Sequence, residues 1–189
     1  TLEDLWRDLE PHPIGSEAHD ILQERLVDTL EARGLSPTLQ QAIQCTSANR
    51  CAELTNIIVH IPGEQEDALL LSAHYDSVPA SPGAGDDGAG VATLVEAATE
   101  WGKRPAKNSL ILLLNDGEEL GLLGASAFMT EHPLASQVKA VINLEARGSS
   151  GPAWMFEMGP SSQHLLEAFA ANTSTAYTSS IAATVYGWL

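Results

Sequence analysis

Four short clusters in this chain carry groups that can hold a cation or move a proton. His74 stands two positions before Asp76. Asp86 and Asp87 sit together inside the glycine-rich stretch SPGAGDDGAG. Glu118 and Glu119 are adjacent, and Glu145 follows an apolar run. Imidazole and carboxylate groups are ordinary zinc donors. A carboxylate can bridge two metal ions roughly 3.5–4 Å apart. A carboxylate beside His74, such as Asp76, can accept the ring's second N–H and fix its tautomer. With two adjacent glutamates, one can bind metal while the other takes a proton from a metal-bound water. Each cluster also has a plainer reading. A lone His-x-Asp is more often structural, an Asp pair among glycines is more often a helix cap, and a Glu pair is more often a solvated face. The combination, and where the chain must place it, favours metal chemistry.

The hydropathy pattern supplies the placement. Leu2, Leu5, Trp6 and Leu9 predict a short helix over 2–10, stopped by Pro11 and Pro13. Ser16 is set as the N-cap of a second helix, with Leu22, Leu26 and Leu30 on one face and Gly34 as its stop. Residues 35–43 read weakly as a strand, and 44–53 as a polar loop holding Cys45 and Cys51. Residues 54–61 form a β-rich run closed by Pro62-Gly63. Further strands are expected over 68–73, 109–115, 137–144 and 153–158, and helices over 88–101, 121–131 and 161–172. Strands alternate with helices, so the fold class is α/β with a largely parallel central sheet, in a single domain over 1–189. Ligands of such sheets bind beyond the carboxyl ends of the strands. His74 and Asp76 leave one strand end, Asp116, Glu118 and Glu119 a second, and Glu145 a third. Asp86 and Asp87 lie in the loop that feeds a helix. The reactive groups therefore collect on one rim.

Composition narrows the possible partners. Hydrophobic residues at 44% and charged residues at 18% exclude a disordered chain. Nine Lys and Arg face 25 Asp and Glu, a formal charge of −16 that repels phosphate backbones and excludes a nucleic-acid partner. The longest apolar run, 110–114, is far short of the roughly 20 residues a membrane span needs. The chain opens at Thr1 with no basic-then-apolar leader, so any targeting segment is expected outside it.

The stretches HYDSVPASPGAGDDGAGVA, NDGEELGLLGA and VINLEARG together resemble the co-catalytic di-zinc exopeptidases. That family includes secreted leucine-type aminopeptidases, glutamate carboxypeptidase and glutaminyl cyclase. The motif-bearing part covers about residues 56–151, and HPIGS at 12–16 resembles the start of the family's domain. The resemblance implies a three-layer α/β/α sandwich with a mixed, largely parallel central sheet. It implies a zinc-dependent exopeptidase acting on peptides, foremost an aminopeptidase. Residue by residue, it makes His74 a ligand of one zinc and Asp86 the bridging carboxylate, followed by a peptide bond that is often cis. Glu118 becomes the general base, Glu119 a ligand of the second zinc, and Glu145 a partner of the first. Most members carry Asp at this last position. Glu there resembles the branch of endoplasmic-reticulum metallopeptidases and vacuolar membrane proteases.

The family's final His ligand, in a Tyr-His-Thr-like context, has no counterpart after Leu144. His164 falls in a predicted helix instead. The chain is thus expected to be a C-terminally incomplete domain that holds one zinc tightly and loses the other. Free thiols are the plain reading of Cys45 and Cys51. Relatives of this branch often show a similar pair, which implies a disulfide and an extracytoplasmic location: secreted, periplasmic or lumenal. The resemblance also allows a membrane anchor elsewhere in the whole protein. Two other readings share the fold, a glutaminyl-cyclase-like acyltransferase and a non-catalytic, receptor-like ectodomain. His12, His19, His60 and His132 read as structural or surface groups. Trp154 and Phe156 read as core packing ahead of the lining of a substrate pocket, and Arg147 as a salt-bridge partner or a contact for a substrate carboxylate.

Overall fold

The structure, a computed structural model, describes residues 1–145, 151–152, 154–155, 157–159, 162–175 and 177–178. Contacts divide the chain into two compact units, Thr1–Gly148 and Ser149–Leu189. In the first unit the chain runs α1 (Leu2–Leu5), α2 (Glu17–Ala32), β1 (Pro37–Cys45), β2 (Cys51–Ile61), β3 (Gln65–His74), α3 (Ala89–Trp101), β4 (Asn108–Asn115), α4 (Leu123–Glu131) and β5 (Val138–Asn143). The five strands form one sheet in the order β1-β2-β4-β3-β5.

The sheet is mixed. β3 pairs in parallel with β4 and β5, whereas β1 with β2 and β2 with β4 are antiparallel. Only the half that carries the reactive strand ends is therefore parallel. β1 and β2 are joined by a short hairpin, and strands so joined must run antiparallel. The predicted polar loop over 44–53 is shorter in the fold, because β1 runs to Cys45 and β2 starts at Cys51. The two cysteines face each other in register and are joined by a disulfide.

Alternation along the strands divides the core between two faces. Ile57, Val59, Leu71, Leu110, Leu112 and Leu114 belong to a cluster with Leu22, Leu26 and Leu30 of α2 and Val91 and Val95 of α3. Ile58, Leu70, Ile111 and Leu113 pack with Phe128 of α4 and Leu134 of the short turn Pro133–Gln137. Helices thus cover both faces, which makes the three layers. β4 reads as an unbroken apolar run because both of its faces are buried.

Local signals explain most element ends. The Ser16 side chain accepts the His19 N–H and starts α2, while Gly34, at φ 77°, ends it. The first helix is shorter than its spacing predicts. Asp8 takes φ 53°, and the chain turns so that the Trp6 indole N–H donates to the Pro82 carbonyl at 2.9 Å. A tertiary anchor here outweighs helix periodicity.

In the second unit, β6 (Trp154–Met155) and β7 (Tyr177–Thr178) pair in parallel, with α5 (Gln163–Asn172) between them in sequence. Trp154, expected in the core, is 53% exposed and stacks on Tyr177 with ring centroids 6.1 Å apart. His164 lies on an exposed position of α5. Arg147 and Phe156 fall outside the described residues.

Candidate metal centre

The end of β3 presents a buried imidazole. The Nδ1 of His74 lies 3.0 Å from the Asp76 carbonyl oxygen, which can only accept, so Nδ1 carries the proton and Nε2 faces the rim. The Asp76 carboxylate, expected to hold this ring, sits 3.5 Å from Nδ1 and has a different principal task. Its Oδ1 accepts the Glu118 N–H at 3.0 Å and its Oδ2 the Glu119 N–H at 3.2 Å. Asp76 thus ties the end of β3 to the turn after β4.

The glycine-rich loop turns through Ala84–Gly88 and carries a cis peptide between Asp86 and Asp87. Its two carboxylates diverge. Asp86 is exposed and places Oδ1 3.2 Å from His74 Nε2. Asp87 is buried and accepts the Gly90 N–H at 3.1 Å, which is the helix-capping role. The other Asp87 oxygen, Oδ2, has no hydrogen-bond partner among the described residues. The loop is braced by the residue that follows α1, since a Cβ on Gly88 would lie 2.6 Å from the Trp6 ring.

The turn after β4 begins at Asp116 and closes at Gly124, whose N–H donates to the Asp116 carbonyl at 2.8 Å. The predicted helix start at Gly121 moves to Leu123. Gly121 and Leu122 instead donate to the Glu118 carbonyl and close the turn that lifts both glutamates. Around His74 Nε2, Glu145 Oε1 stands at 3.7 Å and Glu118 Oε2 at 4.0 Å. Donor atoms of His74, Asp86 and Glu119 all lie within 4.8 Å of one another. The structure therefore brings together His74, Asp86, Glu118, Glu119 and Glu145, with Asp76 behind them. A cavity of about 340 Å³ opens beside them, walled by Leu70, Leu113, Met129 and Val141.

The electrostatics call for a cation. Burial pushes the Glu118 carboxyl up to about 7, with Glu145, Glu119 and Asp76 adding to the rise and His74 opposing it. Glu119 is raised for the same first cause. Burial works against a charged His74 ring, yet the carboxylates of Asp76 and Glu145 outweigh it and push the ring up to about 12. A divalent ion held by these residues would relieve a crowd of acids this close and would take the place of the ring proton at Nε2. One imidazole with carboxylates is a donor set that fits zinc.

Several supporting residues had weak signals. His12 and His19 read as structural or surface groups; both are buried. The His12 N–H donates to Ser77 Oγ at 2.8 Å, and its carbonyl accepts the Ser77 N–H at 3.3 Å, which fixes the chain just after Asp76. His19 bonds Asp116. Arg50, in the disulfide-closed hairpin, donates to the Leu120 carbonyl at 3.3 Å. HPIGS and the Asp116 of NDGEE were the only cues, and neither names its partner.

Comparison with known proteins bears on this geometry. Residues 56–187 match peptidase family M28. A vacuolar membrane protease of Eremothecium gossypii is 36% identical over 181 residues, covering 82% of this chain and 18% of that protein. One from Schizosaccharomyces pombe is 35% identical over 170 residues, covering 80% and 20%. The chain thus spans about a fifth of the length of these curated relatives. A zinc-dependent exopeptidase from Parabacteroides distasonis superposes with a TM-score of 0.75 at 20% identity, covering 94% of this chain and 74% of that one. A glutaminyl cyclase from Porphyromonas gingivalis gives 0.73 at 23%, covering 90% and 66%. At these identities the two structures speak for the fold. With the family match spanning most of the chain, and relatives above one-third identity sharing four-fifths of it, the chain belongs to peptidase family M28.

Proposed function

We propose that this chain carries the metal-binding part of a zinc-dependent exopeptidase, foremost an aminopeptidase that releases N-terminal residues from peptides. The convergence of His74, Asp86 and Glu119 donor atoms within 4.8 Å, beside Glu118, carries this reading. His74 through Nε2, Asp86, Glu119 and Glu145 would hold the metal. Bound zinc would lower the pKa of a coordinated water and polarise the scissile carbonyl. Glu118, beside the ligand cluster, would accept the proton of the attacking water and return it to the leaving amine. Asp76 holds the Glu118 and Glu119 backbone N–H groups and so aims both side chains. We expect one zinc to be held tightly by this chain. The M28 match runs from 56 to 187, which supports assigning both compact units to one peptidase domain.

Glu118→Gln tests the assignment. The variant is expected to keep its metal, by elemental analysis, and to lose peptide hydrolysis; near-native turnover would remove Glu118 from the mechanism. The glutaminyl cyclase likeness in fold favours one alternative, cyclisation of an N-terminal glutamine. Conversion of a Gln-initiated peptide without release of an amino acid would select it. The Cys45–Cys51 disulfide and the relatives' description as vacuolar membrane proteases support an extracytoplasmic site in a membrane-associated whole protein. Among the described residues no helix is long and apolar enough to cross a membrane.

A further inference from the structure

We propose that His19 is a positioning residue for this site: from α2 it locks, through Asp116, the turn that carries Glu118 and Glu119. The ring Nε2 lies 2.8 Å from Asp116 Oδ1, across 97 positions of sequence. Both groups are nearly inaccessible, with side-chain exposures of 5% and 1%. A buried carboxylate needs donors on both oxygens. His19 serves Oδ1, and the Thr55 N–H serves Oδ2 at 2.8 Å. The Asp116 backbone is held as tightly. Its N–H donates to Asn56 Oδ1 at 3.1 Å and its carbonyl accepts the Gly124 N–H at 2.8 Å. Asp116 is thus the fixed base of the turn, two residues from Glu118 and three from Glu119.

The same ring touches the other reactive segment. It stacks on Tyr75 at 4.9 Å between ring centroids, and Tyr75 lies between His74 and Asp76. The Tyr75 hydroxyl donates to the Thr55 carbonyl at 2.7 Å, which returns to the residue that holds Asp116. One imidazole therefore registers the end of β3 against the end of β4. A histidine serving only to fill the core would not need to meet both. Burial opposes a charged His19, but the hydrogen bond and charge of Asp116 prevail and raise it, so the contact is a charge-assisted one. Partners lying behind metal ligands commonly change metal affinity by about 10–100-fold when removed.

The test compares His19→Leu with His19→Gln, because glutamine can still present an N–H to Asp116. Zinc affinity, read by competition with a chelator, is expected to fall by about tenfold or more in His19→Leu and to recover in His19→Gln. The kcat for peptide hydrolysis should fall in parallel with KM unchanged, an arm that rests on the exopeptidase reading. A parent without hydrolase activity whose zinc affinity still drops in His19→Leu would keep His19 as a positioning residue and remove the peptidase reading. Parental zinc affinity in a folded His19→Leu, or a folded His19→Gln that fails to recover it, overturns the proposal. So does a parent that binds no zinc. If His19→Leu does not fold, nitrogen NMR of the parent decides. The His19 Nε2 signal, assigned by its loss in His19→Gln, is expected to shift on zinc addition; an unmoved signal overturns the proposal.

Discussion

Replacing Asp76 by Asn probes the link between the two strand ends most directly. The two oxygens of Asp76 accept two backbone N–H groups, those of Glu118 at 3.0 Å and Glu119 at 3.2 Å, and the residue is 1% exposed. Asparagine has one oxygen. It can serve one N–H, and its own NH₂ then points at the other, leaving a buried donor unmet. A hydrogen bond to a charged acceptor contributes about 1.5–3 kcal/mol, and an unmet buried group costs about as much. The expected loss is therefore about 2–3 kcal/mol of unfolding free energy. At about 2–4 °C per kcal/mol for a chain of this size, Tm should fall by about 4–12 °C. The turn that frees itself carries Glu118, and a displacement of about 1 Å at such a group costs on the order of 10²-fold in rate. The assays are thermal unfolding of the metal-free protein and kcat on an N-terminal amino-acid amide. KM should change little, because Asp76 acts on the base from behind. Parental Tm together with parental kcat would refute the assignment of Asp76 as the clamp of this turn.

Other perturbations test other parts of the site. Asp87 is raised from 3.8 to about 7 by burial first, with Glu145 adding and His74 opposing. A carboxyl raised by folding contributes stability that is present below 3.8 and lost as pH rises through about 7. Asp87→Asn keeps an acceptor for the Gly90 N–H and replaces Oδ2, which has no hydrogen-bond partner among the described residues, so the metal-free variant should lose less stability than the parent between pH 4 and 8 in urea titrations. Identical pH profiles for the two would contradict this. Gly124→Ala would place a Cβ 2.3 Å from the Asp116 carbonyl oxygen and 2.4 Å from Asn56 Oδ1, neither of which can retreat. It should cost about 3 kcal/mol, read by the denaturation midpoint. Reducing the Cys45–Cys51 bond should lower stability by about 2 kcal/mol, as expected for so short a loop, and expose two alkylatable thiols.

Much of the architecture was legible because its causes are local. Ser16 and Gly34 mark the ends of α2 by capping chemistry, and the apolar run of β4 announces a strand buried on both faces. The misreadings have a common origin. The first helix ends early because Trp6 is drawn to Pro82, and α4 starts late because Glu118 recruits Gly121 and Leu122 into a turn. In the first case a tertiary contact, and in the second a competing local turn, outweighs a periodicity worth a fraction of a kcal/mol per residue. The strand directions were only half readable. Alternation reports which face a residue occupies, whereas pairing direction depends on which strands become neighbours.

At the site, the types of donor group were legible in the sequence. It supplied one imidazole and a set of carboxylates at strand ends and in a glycine-rich loop, because side-chain type and its place relative to a strand are local properties. Their division of labour follows from packing. Asp86 faces the His74 ring while its neighbour Asp87 turns inward to cap α3, and Asp76 spends its carboxylate on two backbone N–H groups while its carbonyl orients the ring. The same holds for His19, a residue with no motif of its own, which meets Asp116 across 97 positions. Hydrogen bonding between buried groups is set by distance in space, and that distance exists only once the sheet and α2 have packed.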